Sequence, residues 1–311
     1  MSHDDMLPPE IDRAARSFLR RHRGCLRWGC LAAGLSVLAL VGVAAWGLLS
    51  GASQVKDWAA ERFPDVRLPM AWERPLGDAA LAQLRGKARF TTDRRVLDPL
   101  DRLAAPLLAA QPTSSARFTL LVTESREVNA LALPGGIVVF HRGLLERARA
   151  AEEVQGVLAH EMAHVQKKHG VLGLARSIGL DLLVQQVQGG ESRVLDTLVR
   201  DSGRLLDLKF SRDHERAADD GGWDLLVAAR VDPRGMLDFF AGLNEGTGDG
   251  PVPAIPFLST HPAPRERMDR LRQKAAALGP GGFRSFTADY EALKAGLAIP
   301  PDPSGRGSSA N

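Results

Sequence analysis

Cysteine is nearly absent: Cys25 and Cys30 are the two in 311 residues, both close to the N-terminus. That excludes a disulfide scaffold and any cysteine-built zinc site in the body of the chain. Tyrosine occurs once, at Tyr290, and aromatic residues make up 5%. Charge of one sign is scarce too. Lys plus Arg total 40 against 37 Asp plus Glu, a formal +3, and beyond the N-terminus no long basic run occurs. So weak a field excludes an electrostatic nucleic-acid binder. With 44% apolar and 25% charged residues the chain is globular rather than disordered. A transition metal in the body must therefore be held by carboxylates and some of the eight histidines.

One long apolar run is present. Leu26 to Leu49 carries only Arg27 as a charge, with Trp28 and Trp46 near its ends. At ~1.5 Å per residue it can cross a hydrocarbon core of ~30 Å, and its tryptophans fall where indoles favour the interface. It is read as an uncleaved anchor over 26–50. The rival is a signal peptide cleaved near Ser50-Gly51-Ala52, but such apolar regions usually run only ~7–15 residues. Six arginines (Arg13, Arg16, Arg20, Arg21, Arg23, Arg27) precede the run without an acid, whereas Lys56 and Arg62 face Asp57, Glu61 and Asp65 beyond it. This places residues 1–25 in the cytoplasm. Arginine far outnumbers lysine, a weak bacterial signature. The expected location is thus a bacterial inner membrane, single-pass, with the body in the periplasm.

Residues 51–77, rich in proline, read as a linker and 78–279 as one domain. Residues 280–311 read as a C-terminal helix and a disordered tail. Asp93 to Ala110 reads as a helix interrupted at Pro106. Arg117 to Thr123 reads as a strand; Val128 to Leu133 and Ile137 to Phe140 read as strands joined by Pro134-Gly135-Gly136. From Leu144 the pattern turns helical, with Ala151, Val154, Val157, Leu158, Met162 and Val165 on one face. Few strands and many helices predict an α+β fold. Val171 to Val187 is apolar but carries Arg176 and Asp181, so it reads as amphipathic rather than as a second span.

The chemistry centres on His160-Glu161-Met162-Ala163-His164. In a helix, positions i and i+4 share a face, so both imidazoles reach one ion while the carboxylate between them reaches a water on it. Chance gives this spacing roughly 0.01 times in a chain of this composition, which is informative without being decisive. A catalytic zinc needs a third protein ligand. A local third histidine would fall at position 170, which is Gly170, and Lys167 stands where that pattern needs glycine; His169 is one residue off. The best distal segment is Phe210 to Gly222, where Glu215 and Asp219 lie at i and i+4. One of the two can bind the metal while the other accepts a hydrogen bond from a ligand imidazole.

Four blocks together resemble the M48 family of zinc metallopeptidases: Val128 to Leu145, Val157 to His169, Phe210 to Gly221, and Ser259 to Met268. The resemblance covers about residues 90 to 275. It implies a helix-rich, compact gluzincin-type zincin domain with a small sheet, one zinc per chain, and endopeptidase activity. It makes Glu215 the third ligand beside His160 and His164, leaving Asp219 behind a ligand imidazole and Glu161 as general base. Asn129 and Ala130 fall where similar enzymes hold substrate backbone, which predicts pairing of an extended peptide with an exposed edge strand; an interior strand with no free edge is the alternative. His261 has three open roles: oxyanion donor, latency ligand in the open zinc position, or a rigid turn before the helix from Pro264 to Ala277. The Gly- and Pro-rich stretch from Glu245 to Pro256 predicts a mobile loop carrying it.

The expected function is a membrane-anchored zinc endopeptidase acting on unfolded envelope polypeptides, with no nucleic-acid partner. The alternative is a zinc-containing chaperone that binds unfolded chains without cutting them; an intact Glu161 argues against it. Oligomeric state is not legible.

Overall fold

The computed structural model describes residues 72–111, 117–178, 191–244, 255–262, 265–279 and 281–300, all within the unit Val66–Asn311. The expected anchor at 26–50, the basic segment before it, the linker up to residue 71, the loop at 245–254 and the tail beyond Pro300 lie outside the described residues. Among the described residues no helix is long and apolar enough to cross a membrane.

The sheet has three strands, β1 (Thr119–Thr123), β2 (Ala130–Leu133) and β3 (Ile137–His141), in the order β1-β3-β2. β2 and β3 are antiparallel, with Leu133 opposite Ile137, and β1 runs parallel to β3. The turn between β2 and β3 uses Gly135 at φ +75° and Gly136 at φ +85°, a region that glycine enters without strain. A Cβ on Gly136 would stand 2.1 Å from the Arg117 carbonyl oxygen, so the turn has no room for a side chain either.

All five residues of β3 are buried, and alternate ones feed two cores. Val138 and Phe140 join the larger cluster, whereas Ile137 and Val139 join a smaller one with Leu76, Ala80 and Leu84. Those three lie on α1 (Glu73–Lys87), which begins inside the stretch read as linker. Pro75 hid it. In the first helical turn a proline sacrifices no hydrogen bond, because that N–H has no intrahelical partner.

The next helix, α2 (Arg94–Ala109), is capped by Asp93, whose Oδ1 accepts from the Arg95 N–H at 2.9 Å. It was expected to break at Pro106 but runs through both Pro99 and Pro106. Each proline removes one helical bond, yet Leu100, Leu103 and Leu107 anchor the helix in the main core. The Arg95 carbonyl, which Pro99 cannot use, is covered by Gly296, where a Cβ would lie 2.2 Å away.

After the short α3 (Arg142–Arg147), the chain forms α4 (Ala151–Gln166), with nearly every residue from Ala151 to Val165 buried. The predicted stripe is thus a helix covered all round. Glu153 caps its start, accepting from the Arg149 N–H at 2.9 Å. Two helices pack across it, α7 (Arg212–Ala228) and α8 (Arg234–Asn244). Glycines set the closeness of both crossings. A Cβ on Gly156 would sit 2.6 Å from Met236 Cα, and one on Gly222 would sit 3.0 Å from the Ala159 and His160 backbone.

Between α4 and α7 lie α5 (His169–Ile178), α6 (Glu191–Arg200) and a 3-10 turn at Ser202–Asp207. The helix α5 takes the amphipathic stretch as far as residue 178; the remainder of that stretch lies outside the described residues. The chain closes with α9 (Pro256–Thr260), α10 (Arg265–Ala277) and α11 (Thr287–Ala298). Although α11 lies past the expected domain boundary at 279, its Leu293 and Leu297 belong to the main core. Arg142, itself buried, binds the carbonyls of Leu297 and Ile299 and ties that helix down. Helices on a three-stranded sheet make the domain α+β.

Candidate metal centre

The helix α4 stacks His160 and His164 one turn apart, with their Nε2 atoms 3.1 Å from each other. Both rings are buried. Opposite them stands the first turn of α7. Ser211 caps that helix, its hydroxyl accepting from the His214 N–H at 3.2 Å. The close crossing at Gly222 then holds Glu215 and Asp219 against α4. Glu215 Oε1 is 3.4 Å from His164 Nε2, and its Oε2 is 3.5 Å from His160 Nε2. Asp219 Oδ1 lies 3.1 Å from His160 Nδ1, on the far side of that ring. The two acids therefore divide the work, with Glu215 facing both Nε2 atoms and Asp219 behind His160.

His261 follows α9 and is 1% exposed. Its Nδ1 is 3.1 Å from Glu215 Oε1 and 3.4 Å from His160 Nε2; its Nε2 is 3.5 Å from Glu161 Oε1. The ring stacks on Phe257 at 4.6 Å.

These atoms fit a metal. His160, His164, Glu215 and His261 each offer a donor, all within 4.8 Å of one another. Two ligands at ~2.05 Å from a zinc ion, subtending a tetrahedral angle, stand ~3.3 Å apart. The observed separations of 3.1, 3.4 and 3.5 Å bracket that value. Nitrogen and carboxylate donors suit zinc among the transition metals. Glu161 sits beside them, fully buried, with neither carboxylate oxygen in a hydrogen bond.

Charge in the pocket is held in balance by Arg267, a residue that sequence reasoning passed over. Buried on α10, it reaches Glu215 Oε2 at 2.5 Å and Asp219 Oδ2 at 2.5 Å, and donates to the Pro262 carbonyl at 3.0 Å. Burial disfavours ionised Glu215 and Asp219, but the cations and imidazoles around them hold both carboxyls below the ordinary range. For His160, burial is outweighed by the Asp219 and Glu215 carboxylates, and the ring is pushed up to about 9. Burial dominates at His164, which is driven well down, and at Glu161, which is driven up.

His169 is a second residue whose place was not foreseen. It does not join the donor set; its Nδ1 lies 3.0 Å from His164 Nδ1, and its ring stacks on His214 at 4.3 Å. Burial and the neighbouring imidazoles press it down to about 3.

Asn129 and Ala130 stand at the start of β2, which among the described residues is an edge strand rather than an interior one. The Asn129 carbonyl accepts from the His141 N–H at 3.0 Å, and the Ala130 N–H donates to Asn129 Oδ1 at 3.0 Å. One residue earlier, the Val128 carbonyl accepts from the Phe257 N–H at 3.2 Å. The segment that brings His261 to the donor set thus also lies against the beginning of the edge strand.

The chain matches peptidase family M48 over residues 92–275. It is 29% identical over 221 residues to a putative beta-barrel assembly-enhancing protease of Vibrio cholerae, covering 66% of this chain and 44% of that protein. To the beta-barrel assembly-enhancing protease of Escherichia coli it is 26% identical over 256 residues, covering 76% and 52%. To the metalloprotease LoiP of Escherichia coli it is 26% identical over 232 residues, covering 71% and 87%. The chain spans about half the length of the two beta-barrel assembly-enhancing relatives.

Proposed function

This chain belongs to peptidase family M48, and from that premise we propose that it is a zinc-dependent endopeptidase whose centre is captured with its own His261 in the substrate position. The observation that carries this reading is the quartet of buried donor atoms with Glu161 beside it.

His160, His164 and Glu215 would hold one zinc ion per chain. Bound there, zinc supplies Lewis acidity, polarising a carbonyl and lowering the pKa of water towards ~7. Glu161 takes the proton from the attacking water and returns it to the leaving amine. Its burial raises its proton affinity, which suits a group that must carry a proton between two steps. Asp219 fixes the His160 ring from behind, and Arg267 holds Asp219 and Glu215. Of the three roles open to His261, latency is the one its geometry supports. Its Nδ1 lies among the donors, and a catalytic zinc needs that fourth position open. Withdrawal of the 255–262 segment would clear this position and the Val128 carbonyl together. An extended peptide then pairs at Ala130 on the strand edge, beside the Asn129 side chain; the Asn129 carbonyl itself is taken by the His141 N–H.

Pairing through backbone alone is tolerant of sequence, which suits unfolded polypeptides as substrates. Two relatives are named for enhancing beta-barrel assembly, and a role in envelope protein quality control follows by analogy. The apolar run at 26–49 and the six arginines before it support a single inner-membrane anchor with a periplasmic catalytic domain. A reporter active only outside the cytoplasm, fused after residue 311, tests that topology: it should be active in a bacterial host, and silence contradicts the assignment.

The test of activity is zinc content and casein cleavage of the full chain beside its Glu161→Gln form. Both should hold about one zinc; the wild type should cleave, and Glu161→Gln should not, with or without His261→Ala added. Cleavage by Glu161→Gln overturns the mechanism. Zinc and substrate binding without cleavage by any form returns the chaperone reading.

A further inference from the structure

The two ligand histidines are backed in different ways. A metal-binding imidazole presents one nitrogen lone pair to the ion and carries its proton on the other nitrogen, which needs an acceptor to fix the ring. Behind His160 stands an anion, Asp219, with Oδ1 3.1 Å from Nδ1 and itself held by Arg267. Behind His164 stands an imidazole: His169 Nδ1, 3.0 Å from His164 Nδ1.

We propose that His169 is a positioning residue for His164, accepting the His164 Nδ1 proton on its own Nδ1 and thereby aiming the His164 Nε2 lone pair at the metal. The inference rests on the metal-centre reading above and deepens it. It also fixes both tautomers: His164 carries its proton on Nδ1, and His169 on Nε2.

The local fold explains how a residue at i+5 can do this. On a continuous helix, five positions turn the side chain ~140° away from His164. The helix α4 stops at Gln166, and Lys168 takes the left-handed conformation at φ +57°. For a non-glycine residue that conformation is uncommon, and here a salt bridge from Lys168 Nζ to Glu73 Oε1 at 2.8 Å accompanies it. The chain then restarts as α5 with His169 turned back beneath His164. The His169 ring is 4% exposed and lies parallel to His214, with 9° between the planes, so it is held in one orientation.

Packing alone would also place an aromatic ring there, and the experiment must separate the two. In the full chain, His169→Phe keeps a ring and removes the acceptor. His169→Asn loses the ring but places an oxygen near the Nδ1 position. Zinc affinity is read by competition with a chromophoric chelator, and the thermal midpoint is read on the metal-free protein. His169→Phe should weaken zinc binding about 10–100-fold with little change in the metal-free midpoint. His169→Asn should recover most of the affinity. Equal affinities for the two variants, or a Phe variant that binds as the wild type does, overturn the proposal. Should His169→Phe fail to fold, the ring N–H spectrum of zinc-loaded wild type decides: a proton on His164 Nδ1 is expected, and one on His169 Nδ1 overturns the assignment. A His164→Ala control that keeps full zinc affinity would sink the metal-centre reading itself rather than this inference.

Discussion

The donor atoms come from two kinds of structure. His160 and His164 lie on a helix buried on all sides, and Glu215 lies on a helix locked against it at Gly222. His261 comes from a five-residue helix and the turn after it, held by bonds such as Phe257 N–H to the Val128 carbonyl. The first three positions are fixed by core packing, which resists displacement. The fourth rides on a five-residue helix anchored in the same core by Phe257, and a segment with one fully buried anchor opens at lower cost than a helix buried along its length. On the proposed reading, three ligands sit on long buried helices and the removable fourth on a short one, although all four side chains are equally buried.

The comparison breaks most sharply at the core ligands. His160→Ala, His164→Ala and Glu215→Ala should each remove most of the zinc and all detectable cleavage, measured by metal analysis and a peptide assay. Retention of zinc by Glu215→Ala together with its loss in Asp219→Ala would exchange the roles of the two acids.

Arg267→Met should come next. It leaves the Glu215 and Asp219 carboxylates buried without their cation, and breaking such a cluster costs about 3–5 kcal/mol. Denaturant unfolding of the metal-free protein measures this; a loss below about 1 kcal/mol would mean the cluster is wetter than it looks. Gly222→Ala should cost about 1–3 kcal/mol, since the added methyl meets backbone at 3.0 Å. It should also lower zinc affinity by prising Glu215 from the histidines. Unchanged affinity would show that the crossing has slack.

How much of this was legible beforehand follows from which contacts are local. His160, Glu161 and His164 sit within one helical turn, so spacing alone exposes them. Glu215 is some fifty residues away, and only the family resemblance singled it out from Asp219. The β2–β3 hairpin was readable because Gly135 and Gly136 mark the turn directly. The helix α1 was missed because Pro75 and Gly77 resemble linker punctuation, whereas Gly77 is there to let the helix approach the Pro134 carbonyl. Arg267 was within a recognised block, but a positive charge on a polar helix looks solvated until packing buries it. His169 acquires its place only through the reversal at Lys168, which no periodicity announces.

The weaker side of the comparison is tested at His261. His261→Ala should raise cleavage severalfold, because the fourth position opens. A fall in kcat of about 10²–10³-fold with zinc intact would make it an oxyanion donor instead. No change in either would leave it a turn residue.

The most direct test of the centre is X-ray absorption at the zinc edge on the full-length protein. The account predicts a shell of four nitrogen and oxygen ligands at ~2.0–2.2 Å, with outer-shell scattering from three imidazoles in the wild type and two in His261→Ala. A sulfur shell at ~2.3 Å, which only Cys25 and Cys30 could supply as thiolates, or an unchanged imidazole count in the variant, would contradict it.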